Sequence, residues 1–137
     1  MIYGIICYIL SLMLVFTFSM FYIFRSSFMP YHRDAVERQW NEIDNRMQKL
    51  LLALMKALGM AWLSWFFLCV YLLIILLSGS INFWQLAIFQ ILYLLSAIAP
   101  VFVAIRLRIQ TGAKTPVAGG VMAAVLSVLG FIFISLP

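Results

Sequence analysis

The sequence predicts an all-α integral membrane protein: a four-transmembrane-helix antiparallel bundle with a short cytoplasmic amphipathic surface helix, forming one domain over residues 1–137. Three observations carry this. Residues 1–24, 57–105 and 115–137 are uncharged stretches of 24, 49 and 23 residues. All nine Lys and Arg residues fall between them, within residues 25–56 and 106–114. The composition is 66% hydrophobic and 9% charged, with mean hydropathy +1.13, whereas about a quarter of residues in soluble domains are charged.

A helix needs about 20 apolar residues to cross about 30 Å of hydrocarbon, so the 49-residue stretch holds two spans. The expected spans are residues 2–24, 57–77, 83–104 and 116–136. The first reads as an uncleaved anchor, because a signal peptide carries a basic head and a shorter apolar core and no basic side chain precedes Arg25. Spans two and three are joined by Ser78-Gly79-Ser80-Ile81-Asn82, a turn-rich link that permits only an antiparallel hairpin. Loops 25–56 and 105–115 therefore share a side. Their basic residues place both loops in the cytoplasm and both termini in the periplasm, and the compact form suggests a bacterial inner membrane. The expected partners are the lipid bilayer, anionic lipid headgroups, and another membrane protein or a second copy in a homo-oligomer. The basic excess lies beside the membrane, where anionic lipid attracts it, so no nucleic acid is expected. Cys7 and Cys69 fall within spans with no zinc or CxxC spacing, and no cofactor is expected.

The first loop holds six basic and all four acidic side chains. Ser26 or Ser27 can cap a helix that Pro30 opens. From there His32, Val36, Trp40, Ile43 and Met47 recur at helical spacing, which predicts a surface helix with Trp40 and Ile43 dipped among headgroups. On it Asp34 faces Arg38, Glu42 faces Arg46 and Arg33 faces Glu37, each pair four residues apart. His32, Asp34 and Glu37 invite an acid-base or metal reading, with His32 and Glu37 the candidate interfacial site, but positions i, i+2 and i+5 of a helix point in three directions; a hydrogen-bonded surface histidine is the plainer reading. Asp44 or Asn45 can cap a further helix that extends span two into the cytoplasm. Lys49 and Lys56 share a face of it. With Arg106 and Arg108 they are the candidate headgroup or partner contacts, Lys56 snorkelling from the edge of the span.

No ionisable Asp, Glu, Lys, Arg or His lies within the four spans, which argues against ion-coupled transport. Aligned by depth, Tyr8, Ser11, Cys69, Gln90 and Ser127 form a candidate intramembrane polar layer. Gln90, Tyr93, Ala97 and Pro100 make one stripe of span three, with a kink expected around Ser96 because Pro100 lacks a donor. Gly119, Ala123 and Ser127 are a candidate helix-packing face, small residues that allow close approach. Trp62 and Trp65 share a face deeper than an aromatic belt and read as core or lipid contacts, with a quinone cradle the sharper alternative. Thr115 and Pro116 are expected to cap and open the last span. Three functions follow in order: a non-enzymatic accessory or interaction subunit docking to another membrane protein; a carrier or binder of a lipid or quinone-like ligand, using Gln90 and Lys56; and an interfacial enzyme using the loop around His32.

Overall fold

The computed structural model describes residues 1–79 and 82–136, so Ser80, Ile81 and Pro137 lie outside it. It contains α1 (Ile2–Phe24), α2 (Pro30–Val36), a 3-10 turn (Trp40–Glu42), α3 (Asn45–Ser78), α4 (Phe83–Thr111) and α5 (Val117–Ser135). Helices α1, α3, α4 and α5 are each long and apolar enough to cross a membrane, and no strand occurs among the described residues. The chain is an integral membrane protein built as a four-helix bundle.

Helix α1 organises the bundle. It packs along both α5 and α3, α5 packs along α4, and the consecutive pair α3 and α4 meet more sparsely. The sequence cause is one buried stripe on α1, comprising Gly4, Tyr8, Ser11, Leu12, Val15 and Ser19, spaced as one helical face. Tyr8, Leu12 and Val15 join Cys69 and Leu73 of α3 and Leu86, Phe89 and Tyr93 of α4 in a continuous core, against which Trp62 and Trp65 pack part-buried. Both tryptophans belong to α3, and Trp65 Nε1 is buried without a hydrogen-bond partner among the described residues.

Glycines set the closest approaches. A Cβ at Gly4 would lie 2.7 Å from the Gly130 carbonyl oxygen of α5, and one at Gly59 would lie 3.1 Å from the Ile23 nitrogen of α1. Backbone contacts of this kind cannot be relieved by a side-chain rotation. Where they bring α1 beside α3, Ser19 Oγ donates to the Gly59 carbonyl at 2.7 Å.

Helix α3 begins 12 residues before the expected span, at Asn45. The sequence 46–56 is rich in strong helix formers, and Asp44 caps it, its Oδ2 accepting from Arg46 N at 3.0 Å. Helix α4 runs unbroken through Pro100 and on to Thr111, where Gly112 ends it at φ 72. Gln90, Tyr93 and Ala97 are buried but Pro100 is exposed, so the expected stripe turns outward at its last member. Thr115 does not cap α5. Its Oγ1 donates to the Ala104 carbonyl at 3.0 Å and ties the α4–α5 loop back onto α4, while Pro116 occupies the cap position.

The largest departure from expectation is in the first loop. The stripe from His32 to Met47 is not one helix: α2 ends at Val36, capped by Glu37 at φ 53, and the chain resumes as the 3-10 turn before α3. Neither Ser26 nor Ser27 caps α2, whose cap residue is Met29. The i, i+4 ion pairs vanish with the helix. Among the described residues Arg33 pairs instead with adjacent Asp34 at 3.3 Å, and Glu42 Oε2 accepts from Gln39 N at 2.9 Å. Trp40 packs edge to face on buried Phe28 at 5.0 Å rather than lying on a free amphipathic face.

Substituting Gly4→Val or Gly59→Val is expected to cost about 1–3 kcal/mol each, the usual penalty of overpacking. Gly79→Ala, with nothing within 4 Å of its added Cβ, is the neutral control. Denaturant titration of the protein in mixed micelles measures all three.

Candidate functional site

The buried polar layer is a hydrogen-bonded network joining α1, α4 and α5. Tyr8 OH donates to Gln90 Oε1 at 2.7 Å, Gln90 Nε2 donates to Ser127 Oγ at 3.1 Å, and Ser127 Oγ donates to the Ala124 carbonyl at 2.8 Å. In parallel, Ser11 Oγ donates to the Ala123 carbonyl at 2.6 Å and meets Tyr93 OH at 2.7 Å. A serine hydroxyl has one proton to give. Ser11 spends its proton on Ala123, so Tyr93 is the donor in that pair. Ser127 spends its own on Ala124, which requires the Gln90 amide nitrogen, not its oxygen, to face it. The network therefore fixes its own proton directions.

Of the five residues expected in this layer, Tyr8, Gln90 and Ser127 are joined in one run of bonds, and Ser11 belongs to the second run, with Tyr93. Cys69 is fully buried in the same core and makes no hydrogen bond among the described residues. Tyr93 is the essential addition. The small-residue face of α5 is consumed within the chain: a Cβ at Gly119 would meet the Phe18 ring at 2.6 Å, Ala123 is buried under Ser11, and Ser127 is fully buried. Gly130 extends the same face one turn further, its added Cβ meeting Tyr8 at 2.8 Å. Its spacing from Ser127 was a signal in the sequence. Gly4 and Gly59 stood alone in apolar runs and gave none.

The other candidates lie at the charged end. Lys49, Lys56, Arg106 and Arg108 are all exposed, on α3 and α4. His32 and Glu37 do not form a site together: His32 Nδ1 accepts from Met29 N at 3.3 Å, while Glu37 is exposed at the left-handed end of α2. Among the described residues no group of three metal-ligating side chains converges. Burial holds the His32 imidazole below its ordinary pKa, which suits a ring nitrogen that must stay unprotonated to accept. Burial, and then the hydrogen bond between its hydroxyl and that of Tyr22, push the Tyr31 pKa upward and keep this tyrosine neutral. Among the described residues this end carries a concavity of about 280 Å³ beside Arg25 and Trp40 and one of about 390 Å³ beside Glu37 and Arg38.

Gln90→Leu removes two interhelical hydrogen bonds and strands Tyr8 OH. At about 0.6 kcal/mol per bond in membrane bundles, a loss of about 1–2 kcal/mol is expected, and a Tyr8→Phe, Gln90→Leu double-mutant cycle should return a coupling near one bond. Independent stability effects would contradict the network. For His32 the folded pKa is the lower one, so its contribution is complete above the unfolded value of about 6.5 and is lost as pH falls through the folded value. The hydrogen-exchange protection factor of α2, corrected for the intrinsic pH dependence of amide exchange, should therefore fall on acidification below about 6.5, and the fall should disappear in His32→Asn.

No protein-family model matches the chain, and neither curated proteins nor solved structures give a match.

Proposed function

We propose that this chain is a non-enzymatic accessory or interaction subunit that docks to another membrane protein, seated in a bacterial inner membrane with its charged end cytoplasmic and both termini periplasmic. The basic residues at the charged end support the orientation through the positive-inside bias. The observation that carries the docking reading is an exposed apolar row, Met47, Leu50, Leu54 and Leu58, along the first half of α3.

Depth makes this row unusual. At 1.5 Å per residue, α3 is about 51 Å long, against about 30 Å of hydrocarbon. Met47 and Leu50 precede Lys56 by about 9 to 14 Å along the axis, beyond the roughly 5–8 Å thickness of one headgroup layer. Large apolar side chains exposed there face water unless another surface covers them. Buried Met55 and Gly59 occupy a second face of the same helix, and Lys49 and Lys56 a third. The helix thus offers its own bundle, an apolar row and a basic row on separate sides. Docking through Gly119 and Ala123 is a poorer account, because their face is filled by α1 and α4, and Gly119→Leu would strike Phe18 before it touched a partner.

Purification from native membrane in mild detergent should recover a defined partner. Leu50→Glu with Leu54→Glu is expected to weaken that association about tenfold or more, equivalent to about 1.4 kcal/mol, while leaving the bundle's own unfolding transition in place. A monomer free of partners in lipid nanodiscs and in the native extract overturns the reading.

A further inference from the structure

The cavity of about 280 Å³ at the charged end lies where α1 gives way to α2. Arg25, Ser27, Phe28, Arg33, Gln39 and Trp40 line it, and no carboxylate does. Its neighbour differs: there Asp34, Glu37 and Glu42 outnumber Arg33 and Arg38, so that depression offers an anion no net attraction.

Arg25 is the residue that caps the end of α1, and its backbone turns extended there. Its Nε is buried and has no acceptor among the described residues. That nitrogen is closed off from the cavity, so the donors Arg25 can offer a ligand there are its two Nη groups, which make no hydrogen bond or ion pair among the described residues. Arg33 spends Nη2 and Nε on one Asp34 oxygen, at 3.3 and 3.4 Å. A guanidinium carries five N–H donors, so Arg33 keeps others free. Phe28, 7% exposed, and Trp40 stand edge to face as the cavity's aromatic wall. The paired Nη groups of Arg25, with the remaining N–H donors of Arg33 and a rigid aromatic wall beside them, suit recognition of a phosphate.

We propose that this cavity binds the phosphate of a single anionic phospholipid in the leaflet at the charged end. Its depth selects lipid over free phosphate. Helix α1, 23 residues, is about 35 Å long, a little more than the hydrocarbon it crosses, which sets Arg25 among headgroups. Phe21 and Phe24, exposed on the last turns of α1, give acyl chains an apolar surface beside the cavity. Lys49, Lys56, Arg106 and Arg108 lie on α3 and α4 outside this lining and act only as diffuse attraction.

Native mass spectrometry of the full chain released from vesicles of equimolar phosphatidylglycerol and phosphatidylcholine provides the test. One phosphatidylglycerol is expected to stay bound. Arg33→Gln, at a side chain 59% exposed and therefore tolerant of change, should lower retention about fivefold, the worth of about 1 kcal/mol per cation near an anionic surface. Arg25→Lys keeps the charge but deletes the paired Nη donors and should also lower it, whereas Lys49→Gln with Lys56→Gln should not. Equal losses in the lysine variant, or full retention in Arg25→Lys, would show diffuse attraction and overturn the site. Inorganic phosphate added to protein in neutral detergent is expected not to displace the lipid; displacement at millimolar levels would overturn the assignment to a lipid.

Discussion

Inside hydrocarbon a hydroxyl or amide that lacks a protein partner has nothing else to bond, and this single requirement dictates how α1, α4 and α5 are set against one another. Tyr8, Ser11, Gln90, Tyr93 and Ser127 satisfy one another and two backbone carbonyls of α5. Each bond is modest, because an unfolded chain in the membrane also finds partners. Their value is directional. Sliding α4 by one turn, about 5.4 Å, would take Gln90 out of reach of both Tyr8 and Ser127, whereas apolar contacts between helices in lipid tolerate such a shift.

The network can form only because the backbones come close enough, and that depends on residues with almost no side chain. Gly4 lies over Gly130, Gly119 receives the Phe18 ring, and Gly120 receives Val101. Along α1 and α5 the glycines admit neighbours and the serines bond to them, so both tasks fall on the same two faces. Helix α3 is joined differently. It contributes Cys69 and Leu73 to the core and, among the described residues, accepts one hydrogen bond from α1, from Ser19 to Gly59, and it meets α4 only sparsely. The helix with the weakest polar tie to the bundle is also the one that extends furthest past its expected membrane boundary.

What could be read from the sequence follows from what each region must satisfy. The four long helices were legible because hydrocarbon imposes length and composition directly, and four of the five expected polar-layer residues found bonds because polar side chains in apolar runs have few options. Cys69 reached the same depth without a bond, since depth alone does not give orientation. The first loop was misread for a related reason. Its periodicity from His32 to Met47 was real, but no lipid boundary enforced a helix there, and local alternatives were stronger: Glu42 caps Gln39, Asp44 caps Arg46, and Glu37 reverses the chain. Short polar contacts decide a loop in water, and a helical wheel does not register them. Gly59 and Gly4 were opaque because a lone glycine in an apolar run reveals nothing until the helix it faces is known.

The charged end is tied together by contacts that cross from one element to the next. Tyr22 of α1 bonds Tyr31 of α2 through their hydroxyls, Phe28 packs on Trp40, and Gln48 Nε2 donates to the Trp40 and Ile43 carbonyls at 2.7 and 3.0 Å. Gln48 belongs to the same stretch of α3 as the exposed Met47, Leu50 and Leu54. The aromatic wall beside Arg25 is thus fastened on one side to the end of α1 and on the other to the extension of α3. With the polar layer between α1, α4 and α5 occupied by its own hydrogen bonds, chemistry directed outward is concentrated at this end. There a basic cavity and an apolar row stand on one connected support, so a surface that covered the row would rest on the helix that holds Trp40 in place.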